Sequence, residues 1–375
     1  MARATHFALG AALVAVAFIA GGCYDAKSVD NRSMIYALGF DDAPGDRIAV
    51  TAVEVNPQSS PAGMQPGSGT PGGKPSILFK GEGDTVAEAA RAIQLKDPKQ
   101  LSFASLGVVV FSKTLAEKQG IEKFTDFLMH DGHTRALAWA VISEDSAEKL
   151  LDTKVETESS TAYRDLFIAQ GHLGTEAPEI LSEPIWKVFR DSINAEGDPV
   201  LPMVRTTGSQ IEFVGSALFH DDKLTGTLTP TQTATLQMLD FAAPAARMEV
   251  DFGPDQRAVL RLTRVNPELS IGPGPSLQIR LAAVARIDET TNLRVTPTPE
   301  LIDRLENLGA NGLRRNIADL LGTLAEDDCD ALGIGGLLRA NDPHEWEVLR
   351  ASWPKSLKHW PVTIDVRLRI ASTEL

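Results

Sequence analysis

The sequence predicts a multi-domain protein of mixed α/β and α+β class, with an N-terminal mixed α/β domain and a C-terminal antiparallel sheet covered by helices. In the first half of the chain, apolar runs typical of strands alternate with segments of helical periodicity. In the second half, three segments alternate apolar and polar residues, as half-buried strands do. A chain of 375 residues is also too long for one small core.

The first 23 residues have the pattern of a bacterial lipoprotein signal. Arg3 precedes an apolar run over residues 7–19, and small residues then lead directly to Cys23. As a helix that run would measure about 20 Å, short of the roughly 30 Å hydrocarbon core of a bilayer. The sequence therefore predicts that residues 1–22 are removed as a signal peptide and that Cys23 carries lipid. The alternative is an uncleaved signal anchor with an incidental cysteine.

A hairpin and a loop open the exported part. Residues 34–41 form an apolar run, and β-branched residues alternate over 48–55, which predicts two paired strands. Residues 56–76 consist almost entirely of Pro, Gly, Ser, Gln and Thr, a composition that predicts a disordered loop. Within it, residues 68–74 fail the phosphate-binding P-loop pattern because Ser68 replaces its first glycine.

Strands and helices then alternate up to residue 142. Residues 81–84 predict a tight turn, and Thr85 begins a helix with Glu88 at the spacing of a capping box. Val86, Ala90 and Ile93 share one face of that helix. The other predicted elements are strands at 106–111 and 137–142 and a helix with Ile121, Phe124 and Leu128 on one face.

Two prolines predict a domain boundary. Pro199 and Pro202 end a helical, proline-containing region, and a hairpin with strands 211–218 and 224–228 follows. The predicted domains are thus 23–200 and 205–375. Alternatively, the second domain divides near residue 245 into a small hairpin domain and a larger sheet–helix domain. The elements predicted beyond it are period-two strands starting at Met248, Leu277 and Val362 and a helix with the stripe Leu313, Ile317, Leu320 and Leu324.

Motifs for catalysis or metal binding are weak. His130 and His133 flank Asp131, but no third ligand cluster is near in sequence, so we interpret this segment as a surface turn and not as a zinc site. The sequence contains no G-x-S-x-G, no H-E-x-x-H and no paired-cysteine motif. With Cys23 assigned to lipid, Cys329 has no disulfide partner and is interpreted as a small buried residue. We therefore expect no enzymatic activity, no metal and no cofactor.

The acidic charge argues against a nucleic-acid partner. The formal net charge is −14, which repels phosphate backbones and anionic lipid heads in general. A solubilising surface explains this charge without a specific cationic partner.

Three stretches resemble the Ger(x)C family, the lipoprotein C subunit of spore germinant receptors. The first combines residues 22–25 with Ala37-Leu38-Gly39-Phe40-Asp41, and the second is the turn 81–85 with Glu88-Ala89. The third, which is the most specific, comprises Asp330, Leu332-Gly333-Ile334-Gly335, Arg339, Pro343, Trp346, Trp353 and the closing strand. The hairpin segment Phe219 to Gly226 also matches. The resemblance spans nearly the whole mature chain.

Membership in this family implies a function and a location. It implies a lipid-anchored, non-catalytic subunit of a nutrient germinant receptor, required for germination and placed on the outer leaflet of the cytoplasmic (spore inner) membrane. Integral membrane A- and B-type subunits would be its partners. The alternatives are a solute-binding lipoprotein that delivers a small molecule to a transporter, for which two similar lobes would be expected, and an exported hydrolase.

The C-terminal motif itself is interpreted as structural. Trp346 and Trp353 are seven residues apart and would share one face of a helix that Pro354 ends, each burying about 150–250 Å². Gly333 and Gly335 would permit a tight turn or a close backbone contact. Core packing explains these residues better than a ligand site does.

Overall fold

A computed structural model describes residues 31–55, 76–157, 161–173, 176–194, 197–240, 246–291 and 298–371. Its secondary structure comprises thirteen strands and ten helices over these ranges. No helix among them is long and apolar enough to cross a membrane. Cys23 and most of the predicted loop 56–76 lie outside the described residues.

The strands are β1 Arg32–Ala43, β2 Arg47–Val55, β3 Ser76–Gly83, β4 Gln100–Ser102, β5 Val108–Ser112, β6 Trp139–Ser143, β7 Val200–Thr207, β8 Gln210–His220, β9 Lys223–Leu228, β10 Arg247–Gly253, β11 Gln256–Ile271, β12 Leu277–Thr290 and β13 Val362–Ile370. The helices are α1 Val86–Gln94, α2 Lys113–Lys118, α3 Glu122–His130, α4 Ala147–Asp152, α5 Ala162–His172, α6 Ile185–Ser192, α7 Pro230–Leu239, α8 Pro299–Glu326, α9 Ile334–Asn341 and α10 Pro343–Leu349. Short 3-10 helices at Arg350–Ser352 and Lys355–His359 lead into β13.

The larger sheet is mixed and is buried on both faces. Its strand order is β3-β2-β1-β5-β6-β7-β8-β9, and β4 pairs with the first residues of β1. Strands β1, β5, β6 and β7 run parallel, while β2, β8 and β9 reverse through hairpins. Val109 and Val110 of β5 enter two different apolar clusters, one on each face of the sheet. The predicted alternation of strands and helices in this half is confirmed.

Local signals place the first elements as predicted, with two differences. The β1–β2 hairpin is confirmed, and the Thr85 hydroxyl accepts a hydrogen bond from the Glu88 backbone N–H at the start of α1. Residues 81–83, however, continue strand β3 and are not a turn. A Cβ at Gly81 would collide with the Ala89 carbonyl oxygen, so the glycines let the helix lie directly on the strand. On α1, Ala89 is the buried alanine, whereas Ala90 is half-buried.

The prolines near residue 200 do not interrupt the larger sheet. Pro202 lies in β7 and pairs with Ser216 of β8, while the parallel pairing with β6 begins only at Met203. Near the start of a strand a missing N–H is tolerated because no ladder bond is lost on the β6 side. The larger sheet therefore continues across the boundary predicted at Pro199 and Pro202, and that boundary stays a prediction. The hairpin β8–β9 belongs to the larger sheet, and the second sheet begins at Arg247.

The smaller sheet has the order β10-β11-β12-β13 and is covered on one face by α8. The stripe Leu313, Ile317, Leu320 and Leu324 of α8 is buried as predicted. Strands β10, β11 and β12 are antiparallel, but β13 pairs parallel with β12, which corrects the expectation of an entirely antiparallel sheet. The reason is the long helical crossover between β12 and β13, which returns the chain in the same direction.

Candidate functional site: the junction around Asp330

The C-terminal motif lies where the two sheets meet. The loop between α8 and α9 contacts the segment that precedes β7. The Asp330 backbone N–H donates to Asp198 Oδ2 at 2.7 Å, and the Asp198 N–H donates to the Asp330 carbonyl at 3.1 Å. Two segments 132 residues apart are thus joined by a reciprocal pair of hydrogen bonds. We call this region, centred on Asp198, Asp330 and Trp353, the junction.

Asp330 organises the junction through its buried carboxylate. Oδ1 accepts from the Ile334 N–H at 2.8 Å, and Oδ2 accepts from the Gly335 N–H at 2.7 Å. The indole Nε1–H of Trp353 also donates to Oδ2, at 2.9 Å. Burial raises the pKa of Asp330 to about 6, although these three donors favour the ionised form. The same carboxylate therefore caps the start of α9 and holds the Trp353 indole in place.

The two glycines of the motif are required by geometry. Gly333 has a φ of +64°, in the left-handed region that glycine adopts without strain. A Cβ at Gly335 would lie 2.8 Å from Trp353 Nε1 and 3.0 Å from Trp346 Cζ3. Close approach of the indole rings to the backbone is possible only because this side chain is absent. The structural interpretation of both glycines agrees with this geometry.

Three tryptophan rings pack edge to face beside the carboxylate. The ring centroids of Trp346 and Trp353 are 5.6 Å apart with an interplanar angle of 72°, and those of Trp353 and Trp360 are 5.6 Å apart at 69°. All three rings are buried. Such edge-to-face pairs contribute about 0.5–1.5 kcal/mol beyond the area they bury.

The rings of Trp346 and Trp353 are in contact, but the predicted shared helix does not bring them together. Trp346 lies in α10, whereas Trp353 follows the 3-10 helix in extended backbone, which the next residue, Pro354, favours. They therefore do not share a helix face. The sequence-based prediction did not include Trp360. This residue follows Trp353 by seven positions, the same spacing that separates Trp346 from Trp353.

A histidine and a cysteine side chain border the junction. His220 Nδ1 lies 3.3 Å from Asp198 Oδ2, at the end of a hairpin whose turn residues Asp221 and Asp222 both have positive φ. Burial raises the pKa of Asp198. The thiol of Cys329 is buried, and burial together with the Asp198 and Asp330 charges holds its pKa well above its usual range. A thiol in this state is a poor nucleophile, in agreement with its interpretation as a packing residue.

A polar cavity of about 270 Å³ opens beside the junction, lined by α6, α7 and the loop after Asp330. The Glu183 carboxylate lines it and lies 2.5 Å from Lys187 Nζ. Burial raises the pKa of Glu183 to about 7, against the opposing effect of the Lys187 charge. Asp240 also lines the cavity, and burial raises its pKa. The lining of the cavity is therefore rich in charged side chains, mostly carboxylates.

The histidine pair forms the predicted surface turn. His130 ends α3 with its Nδ1 3.1 Å from Asp126 Oδ1, and His133 Nδ1 contacts the Asp131 carbonyl oxygen at 3.3 Å. Gly132 between them has a φ of +70°, as expected in a turn. Within the described ranges, no group of three or more His, Cys, Asp or Glu side chains is arranged to hold a metal ion.

Comparisons with known proteins define the class. Residues 25–206 match the family described as "Spore germination protein N-terminal domain", and residues 214–374 match "Spore germination B3/ GerAC like, C-terminal". The protein is therefore of the spore germination class. More particularly, the chain belongs to the GerAC-like, or Ger(x)C, family, as its motifs indicated. The border between the two matches lies close to the predicted boundary at 200–205, whereas the larger sheet continues to Leu228.

Relatives cover almost the entire chain at low identity. Spore germination protein KC of Bacillus subtilis (strain 168) is 21% identical over 94% of this chain and 92% of its own length. Spore germination protein GerQC of Bacillus cereus is 20% identical over 92% of this chain and 94% of its own. The crystal structure of the GerBC protein superposes with a TM-score of 0.59 at 15% identity, covering 89% of this chain and 97% of that one. This structural likeness confirms the mixed α/β, two-sheet fold.

Proposed function

We propose that this chain is a lipid-anchored, non-catalytic subunit of a nutrient germinant receptor and is required for spore germination. One observation carries the proposal: the family match begins at residue 25, two residues after Cys23, and continues to residue 374 with a single short gap. The matched region thus coincides with the chain that would remain after cleavage before Cys23. Full-length likeness to two spore germination proteins supports the same function.

The lipid on Cys23 would hold the protein on the outer leaflet of the cytoplasmic (spore inner) membrane. Each buried CH₂ group contributes about 0.8 kcal/mol, so an anchor with several acyl chains holds stably where a single myristoyl chain does not. On that surface the chain would assemble with integral membrane subunits of the A and B types. Lipid anchoring would bring it to these partners at the membrane surface.

A non-catalytic role is supported by the junction. The Asp330 carboxylate is engaged by two backbone N–H groups and one indole N–H, which leaves it as a structural acceptor and not as a poised acid or base. The raised pKa of the Cys329 thiol argues against nucleophilic catalysis there. The contacts of these groups hold the backbone of the junction in place. Such a structural role suits a non-catalytic receptor subunit.

The test replaces each of the two cysteines of the chain in turn. Cys23→Ala should move the protein from the membrane fraction to the soluble fraction, abolish labelling by a fatty-acid analogue and impair nutrient germination. Cys329→Ala is the matched control, because it removes a buried thiol that carries no lipid in this account; labelling and membrane attachment should persist. Fatty-acid labelling that survives Cys23→Ala, or normal germination of that variant at normal protein level, would refute the proposal.

A further inference from the structure

Exposed apolar side chains gather at one edge of the larger sheet. In the described part of the chain, five of the large apolar residues with substantial exposure lie where β1, β3, β5 and β6 begin: Ile77, Leu95, Leu137, Leu173 and Trp186. Leu95 is 79% exposed and Leu137 is 57% exposed. We call the surface formed by these five residues the β1 edge. Scattered exposed apolar residues need no explanation, but several at one edge do.

Strand register places the first two residues at this edge. Ile77 pairs with Glu54, which in turn pairs with Ile35 near the start of β1. Leu95 follows Gln94, whose side chain donates to the Lys99 carbonyl at 2.6 Å and accepts from the Leu101 N–H at 2.9 Å. Leu101 lies in β4, the short strand beside the first residues of β1. Both side chains therefore lie at the end of the sheet where the chain enters it.

The other three lie around the start of β6. Leu137 precedes Trp139, the residue with which β6 begins. The Trp186 backbone N–H donates to the carbonyl of Ala136 at 3.3 Å, so Trp186 adjoins Leu137. Leu173 caps the end of α5, where a Cβ at Gly171 would lie 3.9 Å from the Trp139 indole nitrogen. The β1 edge thus extends across several neighbouring strands.

Basic side chains accompany the apolar ones. Arg32, Lys96, Lys99 and Arg135 lie in the same strand ends and loops, and Lys96, Lys99 and Arg135 are exposed. The nearby acid Glu54 has a side chain only 13% exposed and lies 3.9 Å from Lys99 Nζ. In a chain of net charge −14, three exposed basic groups thus lie among exposed apolar side chains, and the exposed acid Glu176 adjoins Leu173. Such a surface suits the interface of a bilayer that contains anionic lipids.

The chain enters the sheet at this edge. Cys23 precedes Arg32 by nine residues, which span at most about 32 Å when fully extended. The opposite end of β1 lies eleven residues farther along a strand that rises about 3.3 Å per residue, or roughly 36 Å away. A lipid on Cys23 therefore limits the distance between the start of β1 and the membrane to about 32 Å, which favours contact through the β1 edge.

The smaller sheet leaves this edge free. Its core takes in Val200, Leu218 and Leu228, which belong to β7, β8 and β9 at the other side of the larger sheet. The segment 56–75, which joins β2 to β3 at this edge, contains no Asp or Glu and few apolar residues. Its sequence is thus compatible with an anionic surface.

We propose that the β1 edge rests on the phospholipid surface, with its leucines and Trp186 in the interfacial region and its basic side chains at anionic headgroups. The inference depends on the proposed anchoring through Cys23 and adds the orientation of the body. The larger sheet then stands with its strands leading away from the bilayer.

The test uses the full-length lipidated protein in vesicles of phosphatidylethanolamine and phosphatidylglycerol that carry a doxyl-labelled lipid. Single substitutions Leu137→Cys and Leu95→Cys each provide a thiol for an environment-sensitive fluorophore, while Cys329 is buried. Pro44→Cys, in the exposed turn at the opposite end of β1, is the matched control. We expect blue-shifted, doxyl-quenched emission at positions 137 and 95 and unquenched emission, like that in buffer, at position 44.

Flotation of the vesicles distinguishes the two levels of the proposal. If the protein floats with the vesicles but positions 137 and 95 behave like position 44, the orientation is wrong while the anchor stands. If the unlabelled protein does not float, or if Cys23→Ala floats equally well, the anchoring proposal itself fails. Quenching at all three positions would also overturn the assignment of one edge to the membrane.

Discussion

The two sheets are stabilised in different ways. The larger sheet is packed on both faces by apolar side chains, with Phe40, Phe111 and Phe124 in mutual contact at centroid distances of 4.9–6.0 Å on one face. The smaller sheet is packed on one face, and its other face carries exposed ion pairs such as Arg261–Asp288 at 2.7 Å. Where the two sheets meet, a buried carboxylate at Asp330 adds polar contacts to the apolar packing.

This difference locates the sensitive part of the molecule. An apolar core tolerates substitutions of similar volume, whereas a buried charged group that loses one hydrogen-bond partner retains its desolvation penalty. Exposed ion pairs contribute about 0–1 kcal/mol each. Substitutions at the junction should therefore act on the smaller sheet and its attachment more than on the larger sheet.

The largest effect is expected for Trp353→Ala. It removes a buried indole between two other indoles and one donor to Asp330, so the free energy of unfolding should fall by about 3–5 kcal/mol. Native-state hydrogen exchange should show earlier loss of protection in β11 and β12 than in β5. Trp186→Ala, which truncates a partly exposed tryptophan, is the control and should cost far less. Equal loss of protection in both sheets would contradict the expectation that the junction stabilises the smaller sheet more than the larger one.

A smaller effect is expected when a methyl group is added at Gly335. The new Cβ would press on the rings of Trp353 and Trp346, and Gly335→Ala should destabilise the protein by about 1–3 kcal/mol in denaturant unfolding. Gly322→Ala is a matched control in α8, because a Cβ there has nothing within 4 Å. That substitution should be stabilising, by about 0.5–1 kcal/mol, since alanine is the better helix former. Destabilisation of similar size at Gly335 and Gly322 would show that contacts at the junction are not its cause.

The smallest effect concerns pH. Burial raises the pKa of Glu183 from 4.5 to about 7 in the folded protein, so the folded state binds more protons than the unfolded state between these values. The stabilisation that Glu183 contributes is therefore fully present below its pKa in the unfolded chain. It is lost as the pH rises through its pKa in the folded protein. We expect a decline of about 1–2 kcal/mol between about pH 5 and pH 7 that is reduced in Glu183→Gln. An unchanged pH profile in that variant would assign the decline to other groups, such as Asp330.

Elements governed by local signals were predictable from the sequence. The β1–β2 hairpin, the Thr85 cap and the α8 stripe depend on residues close in the chain, and the structure places all of them as expected. Strand β11 was missed although Ala258, Leu260 and Leu262 alternate in it, because the register shift after Leu262 interrupts the period of two. The direction of β13 depends on a long crossover that periodicity does not report.

The junction could be predicted only in part. The family resemblance pointed to Asp330, Gly333, Gly335, Trp346 and Trp353, and packing arguments interpreted the glycines and tryptophans as structural. The partner of Asp330 could not be found because Asp198 lies 132 residues away in the chain. The backbone bend before Pro354 likewise places Trp353 off the helix that its spacing suggested. Tertiary geometry, and not local pattern, brings these groups together.

The most direct test of the account is crosslinking in native spore membranes followed by purification of this chain through a tag. We predict that the wild-type chain is recovered crosslinked to at least one integral membrane polypeptide, and that Trp353→Ala loses stability and this partner together. Recovery of the wild-type chain alone would contradict its assignment as a receptor subunit. A stable, correctly folded Trp353→Ala that no longer carries the partner would instead place the interface at the junction and contradict its structural role.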